Sequence, residues 1–134
     1  MSEWNDAVIK EFRQNEGKVA QFGDAPLVIL HTIGAKSGEV REIPLVSLVQ
    51  GEDVFVFASK AGATTQPDWL FNLRAHPEIE VETGSGTYRA RAVELPEDQR
   101  RAALDAQAAL MPQFGEYIVT AAPRLIPAIH LERV

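Results

Sequence analysis

Residues 26–57 read PLVILHTIGAKSGEVREIPLVSLVQGEDVFVF, and this stretch decides the fold. It holds three apolar runs rich in Val, Ile, Leu and Phe, a composition typical of β-strands. The turns between the runs, GAKSGE and Gly51-Glu52-Asp53, contain glycines that allow the chain to reverse direction. Because such short connections join antiparallel neighbours, the stretch predicts the first three strands of an antiparallel sheet.

The residues before this stretch predict a helix over residues 1–17. Its amphipathic stripe consists of Trp4, Val8, Ile9 and Phe12. The helix is predicted to end at Gly17.

The residues after it predict a second helix, a hairpin, further helices and a last strand. PDWLFNLRAHP lies between two prolines, as a short helix does, and residues 78–95 alternate apolar and polar side chains around GSG. EDQRRAALDAQAAL is strongly helical, QFGEYIVTA predicts another short helix beyond Pro112, and LIPAIHLERV predicts a closing strand. The order predicts an α+β fold: a mostly antiparallel, six-stranded sheet curled into a small β-barrel with helices packed outside.

Composition narrows the protein class. A chain of 134 residues with 46% hydrophobic content predicts a single domain, residues 1–134. It has no cysteine, which excludes disulfides and thiol chemistry. No apolar run approaches the roughly 20 residues of a spanning helix, and the first ten residues lack a signal-peptide pattern, so a cytoplasmic protein is expected. The formal net charge of -6 argues against a nucleic-acid partner.

Other chemistries are not favoured by the sequence. The three histidines lack the paired spacing of metal ligands, so no metal site is expected; they are His31, His76 and His130. Ser59 has no nucleophile-elbow motif around it. Because the formal net charge is -6, any polyanion must be held by a local cluster of donors.

Two stretches offer such donors. The turn AKSGEVR combines backbone amides with an ammonium, a hydroxyl and a guanidinium, although a solvated hairpin would look the same. ASKAGATTQPDWLFN runs from a strand end, past Lys60, into a helix N-terminus, which adds partial positive charge. Trp69 and Asn72 share a face of that helix, and core packing is the alternative for Trp69.

Together with the closing segment MPQFGEY, Arg124 and Ile126-Pro127, these stretches resemble the deazaflavin-dependent nitroreductases and F420H2-dependent quinone reductases of actinobacteria. The resemblance begins near Leu27 and runs to the C-terminus. It implies a split β-barrel that binds coenzyme F420, a deazaflavin with a phospholactyl and oligoglutamate tail.

The resemblance also implies the site residues. The phosphate and tail would meet Lys36, Ser37, Gly38 and Arg41, and the ring would lie against Pro44 and Leu45. Backbone and side-chain donors would come from Ala58, Ser59 and Lys60, while Trp69 and Asn72 would close the other side. The acceptor side follows from spacing: Met111, Phe114 and Tyr117 stand three residues apart around Pro112, so a helical turn there would present them to one pocket. Tyr117 would hydrogen bond to the acceptor or supply a proton, unless its hydroxyl merely caps a packed ring.

This chain departs from the family pattern in two places. Ala35 stands where a basic residue often precedes the lysine of the glycine turn, and Met111 and Phe114 stand where tyrosines are common. The expected function is an oxidoreductase that passes a hydride from reduced F420 to a quinone or nitro compound, with membrane contact at most peripheral. The alternatives are a non-catalytic F420 carrier and an oxidoreductase that uses FMN.

Overall fold

A computed structural model describes residues 3–134, so the first two residues of the predicted N-terminal helix lie outside the described part. The described helices are α1 (Glu3–Gln14), α2 (Asp68–Ala75), α3 (Glu97–Leu110) and α4 (Pro112–Ala121). The described strands are β1 (Leu27–Ile33), β2 (Val40–Val46), β3 (Leu48–Gln50), β4 (Asp53–Phe57), β5 (Glu78–Thr83), β6 (Gly86–Glu94) and β7 (Ala128–Arg133). The α+β class is confirmed.

The prediction of six strands is wrong, because the second apolar run forms two strands that meet at Ser47. The Ser47 amide and hydroxyl both donate to the carbonyl of Pro26, at 2.9 and 3.2 Å. This polar side chain is only 2% exposed, so it must satisfy its hydroxyl locally. The result is a sheet of seven strands, with β2 and β3 separated by one residue.

The sheet is curled. Its strand order is β2-β1-β5-β6-β7-β4-β3, and every pairing is antiparallel. β2 and β3 stand at opposite edges of this order although only Ser47 separates them in sequence. The two edges must therefore approach each other, which curls the sheet into the half-barrel form of the fold.

Apolar side chains fill the curl and lie under the helices. The central cluster joins Val28, Leu30, Val56 and Val81 of the sheet to Leu70 of α2. A second cluster lies beneath α3 and α4, and a third lies beneath α1. The helices thus pack against the sheet from outside, as the periodicity predicts, and none of the described helices is long and apolar enough to cross a bilayer.

The predicted stripe of α1 is buried except at its first member. Val8, Ile9 and Phe12 are buried, whereas Trp4 is 54% exposed. The Trp4 ring meets the Phe22 ring edge-on, with centroids 6.2 Å apart. Trp4 therefore lies beside the cavity described below and not in the core.

Candidate cofactor and acceptor site

A cavity of about 730 Å³ opens between β2, the loop from β4 to α2, and the junction of α3 with α4. Six of its wall residues were expected to bind a ring or an acceptor: Pro44, Leu45, Trp69, Met111, Phe114 and Tyr117. Trp69 is also a member of the central core cluster, so its core packing is confirmed, and its contact with a cofactor ring stays a prediction. The cavity is mainly apolar, which suits a flat ring.

The wall of this cavity carries little charge. Lys60 is the one charged side chain among the described residues that line it, and no Asp or Glu does so. The sequence contains 19 acidic residues, so their absence from the wall is selective. An anionic ligand would meet no carboxylate here.

The glycine turn is held by internal hydrogen bonds and by α2. Gly34 donates to the Glu39 carbonyl at 2.8 Å, and Gly38, with a φ of +72°, donates to the Gly34 carbonyl at 2.9 Å. The Ala35 amide donates to the Asn72 side-chain oxygen at 3.0 Å. Asn72 therefore supports the turn from α2 and is not part of the described cavity wall.

The charged side chains of the turn lie beyond the cavity. Lys36 and Arg41 are exposed, and neither forms an ion pair with a described carboxylate. Arg41 shares a strand face with Ile43 and Leu45, about 13 Å along β2 from Leu45. The turn thus lies before the first residue of β2, and the residues at the far end of this strand line the cavity.

Ser37 and Gly38 also lie outside the cavity wall. The Ser37 hydroxyl accepts a hydrogen bond from the Glu39 amide at 3.2 Å, so it already serves the turn.

Arg124 organises the loop between β4 and α2 from beneath. Its guanidinium donates to the carbonyl oxygens of Ala58 at 3.0 Å, Ser59 at 2.8 Å and Ala63 at 2.8 and 3.0 Å. A further bond reaches the Gln66 side chain at 2.7 Å. Burial lowers the pKa of Arg124, but a guanidinium stays charged in proteins. The sequence singles out Arg124 as a motif residue without assigning it this role.

These bonds set the direction of the loop amides. The C=O and N–H of a trans peptide point in opposite directions, so binding the Ala58 and Ser59 carbonyls turns the Ser59 and Lys60 amides away from Arg124. Ser59 and Lys60 both line the cavity. Ala58 differs, because it is fully buried and its amide donates to the Pro127 carbonyl at 3.0 Å. Its amide is therefore not available to a ligand.

The junction of α3 and α4 brings the three acceptor-side residues together, as their spacing predicts. The Phe114 ring lies between the rings of Phe57 and Tyr117, with centroids at 5.0 and 6.2 Å. The Tyr117 hydroxyl makes no hydrogen bond within the described chain. Gln107 is among the wall residues that the sequence interpretation did not assign to the site, and it lies one helical turn before Met111. That spacing of four was the available signal.

The histidines are placed apart from the cavity. His31 lies with Glu42 and Glu82 in a cluster whose ligand atoms fall within 4.8 Å of one another, a grouping that the sequence spacing did not reveal. Arg13 of α1 donates to both of these carboxylates and so offsets part of their negative charge. His130 contacts Asp53 at 3.1 Å.

The fold and cavity define a split-barrel-like protein with an apolar cavity at one end of β2 and Lys36 and Arg41 near the other end. Residues 4–132 match the model of the F420H(2)-dependent quinone reductases. The chain belongs to this family.

Known proteins agree with this assignment. An F420H(2)-dependent quinone reductase of Mycobacterium tuberculosis is 33% identical over 75 residues, which are 54% of this chain and 50% of that protein. The chain spans about half the length of the curated relatives that it matches. A solved F420-H2 dependent reductase is 32% identical with a TM-score of 0.73, covering 80% of this chain and 94% of that one.

More distant structures share the fold alone. A heme storage protein from Vibrio cholerae aligns with a TM-score of 0.60 at 15% identity, covering 97% of this chain and 90% of that one.

Proposed function

We propose that this chain is an oxidoreductase that uses reduced coenzyme F420 to reduce a quinone. The observation that carries the proposal is a cavity wall in which no described residue is a carboxylate. The nearby turn adds Lys36 and Arg41, which form no ion pair with a described carboxylate, in a chain of net charge -6. Family membership supports it. Nitro compounds are a second acceptor class within the same proposal.

The residues present fit the coenzyme. Its flat ring would lie against Pro44 and Leu45 on one side and Trp69 on the other, because these apolar groups line the chamber. Its anionic tail would extend along β2 to Lys36 and Arg41, which have no protein carboxylate to compete for them within the described chain. Lys60 lines the same cavity and supplies the positive charge of its described wall. Its ammonium would attract the anionic part of the coenzyme nearest the ring.

The bound coenzyme supplies the hydride, and the protein positions and shields the acceptor. Met111 and Phe114 form an apolar wall that favours a flat acceptor and limits water. The Tyr117 hydroxyl, which has no partner in the described chain, would donate a hydrogen bond to the acceptor oxygen.

A second candidate function is storage or transfer of F420 without turnover. It is favoured by Met111 and Phe114, which place apolar side chains where related proteins commonly carry tyrosines. Among the described wall residues, Tyr117 alone offers a phenol to the cavity.

Anaerobic mixing of reduced F420, the protein and menadione separates the two functions. We expect the absorbance of oxidised F420 to return at a rate that depends on protein and menadione concentration. Tight F420 binding without protein-dependent oxidation would establish the carrier function instead.

A further inference from the structure

Gln107 differs from the other deeply buried polar residues of the described chain. Thr32, Ser47 and Gln107 are 0, 2 and 3% exposed. The hydroxyls of Thr32 and Ser47 donate to backbone carbonyls at 2.9 and 3.2 Å. The Gln107 amide instead donates to the Met111 sulfur at 3.1 Å, its one side-chain bond in the described chain.

A thioether is a weak acceptor, and a glutamine side chain has two N–H donors and a carbonyl oxygen to satisfy. Burying such a group among apolar neighbours without good partners is unfavourable. Gln107 nevertheless lines the cavity, where a ligand could complete its hydrogen bonds. No described side-chain N or O atom is both fully buried and without a partner, so the remaining polar groups of Gln107 are open to the cavity, where a ligand can bind them.

The location of Gln107 specifies which partner. It precedes Met111 by one helical turn of α3 and faces it, so it belongs to the wall formed by Met111, Phe114 and Tyr117. The proposed ring contacts, Pro44 and Leu45, lie on the sheet side of the chamber. Lys36 and Arg41, the proposed tail contacts, lie outside this wall, so its N–H donor would meet the acceptor and not the tail.

We infer that Gln107 selects carbonyl acceptors by donating a hydrogen bond to a quinone oxygen. This inference rests on the proposed function. The quinone takes up a hydride, which oxidises the coenzyme, and a proton from water completes the hydroquinone. Gln107 transfers no proton. Its N–H stabilises the negative charge that develops on the oxygen, and the bond strengthens as that charge grows.

The variant Gln107→Met tests this because it keeps the length of the side chain and removes the donor. Two acceptors are compared: menadione, which has carbonyl oxygens, and N-methylacridinium, which accepts a hydride at carbon and has no oxygen. We expect kcat/KM for menadione to fall by about 10- to 100-fold, the scale of a hydrogen bond to a charged group, and that for N-methylacridinium to change little. Gln14→Met, at an exposed position of α1 outside the cavity, is the control and should leave both rates unchanged.

Infrared spectroscopy supplies a readout that needs no turnover. The carbonyl band of menadione, measured with and without oxidised F420, should lie at lower frequency with the wild-type protein than with Gln107→Met. Equal losses for both acceptors, or bands that coincide, would overturn the inference. If the wild type reduces neither acceptor, the proposed function fails, while the infrared comparison still decides the role of Gln107.

Discussion

At the scale of single residues, the proposed site relies on a few cations that form no ion pair with a described carboxylate. Arg13, Arg74 and Arg100 are engaged by carboxylates, whereas Lys36 and Arg41 are not, within the described chain. Unpaired cations on a net acidic protein remain available to an external anion. This distinction motivates the first prediction.

Replacing Lys36 or Arg41 by alanine should weaken F420 binding by about 1 to 3 kcal/mol, the scale of a charge-assisted hydrogen bond. The loss should shrink as salt rises, because these groups are exposed. Fluorescence titration at two salt concentrations measures both effects. Arg91→Ala, whose side chain lies 3.7 Å from Glu78 on another strand, is the matched control. If both variants bind like the wild type, the glycine turn is only a hairpin.

Tyr117→Phe should lower acceptor turnover and leave F420 affinity nearly unchanged. The reason is that the Tyr117 hydroxyl lies in the cavity wall without a partner in the described chain, while its ring packs on Phe114. Removing the oxygen keeps that packing. Steady-state kinetics with menadione and a parallel F420 titration distinguish the two effects, and unchanged turnover would return Tyr117 to a purely structural role.

At the scale of elements, side chains from later in the chain hold the segments that form the site. Arg124, just after α4, holds the loop between β4 and α2, and the Thr120 hydroxyl adds a bond to the Gly62 carbonyl at 3.0 Å. Gly62 must be glycine, because a Cβ there would lie 2.1 Å from the Thr120 oxygen at a φ of +80°. Lys60 and Ala61 also have positive φ, so this loop is strained and needs support.

Arg124→Met should therefore loosen the loop. We expect faster amide exchange over residues 58–66, with β5 and β6 unaffected, and F420 affinity lower by at least about tenfold, because the Ser59 and Lys60 amides lose their orientation. Arg124→Lys keeps the charge but cannot form the fork of bonds, so it should be intermediate. Exchange measured by mass spectrometry decides this, and wild-type protection of the loop in Arg124→Met would refute the role.

Helix α1 is attached to the sheet by Arg13, whose guanidinium donates to Glu82 at 2.9 and 3.0 Å and also to Glu42. Hydrogen bonding from Arg13 lowers the pKa of Glu82. A lowered carboxyl pKa stabilises the fold above the ordinary value of about 4.3, and that stabilisation is lost as pH falls through the lowered pKa.

Arg13→Met should consequently cost about 0.5 to 1 kcal/mol at pH 7, a modest value because the pair is partly exposed. The difference from the wild type should shrink as pH falls below about 4. Urea unfolding at several pH values measures it. A constant difference across that range would show that packing, and not the ion pair, accounts for the effect.

At the scale of the whole molecule, the acidic residues are numerous, but none of the described ones lines the cavity. With 19 acidic and 13 basic residues, the protein as a whole repels anions. We therefore expect anion binding to depend on two local segments, the glycine turn with Lys36 and Arg41 and the loop with Lys60. A cofactor whose tail reaches the glycine turn gains from both segments. A cofactor that carries only a short phosphate does not gain from both.

The protein should therefore bind F420 more tightly than FMN. Side-by-side titration of the purified protein measures this preference, and the absorption spectrum identifies any cofactor that copurifies. Equal or tighter FMN binding would contradict it.

The sequence by itself determined the α+β class and the order of the elements. Strand alternation, helical stripes and the prolines at positions 67, 77, 96 and 112 act over a few residues, so they can be interpreted without the fold. The spacing of Met111, Phe114 and Tyr117 is also a local signal, and the structure places all three in one cavity wall.

Only the tertiary structure decided the features that depend on residues far apart in sequence. Ser47 interrupts a strand because its partner is Pro26, Asn72 supports the turn at Ala35, and Arg124 reaches back to a loop that begins near Ala58. The same holds for Gln107, whose burial and cavity contact come from the packing of α3. Local pattern specifies which segment becomes a helix or strand, but register and packing specify which groups meet, and those are set by the whole chain.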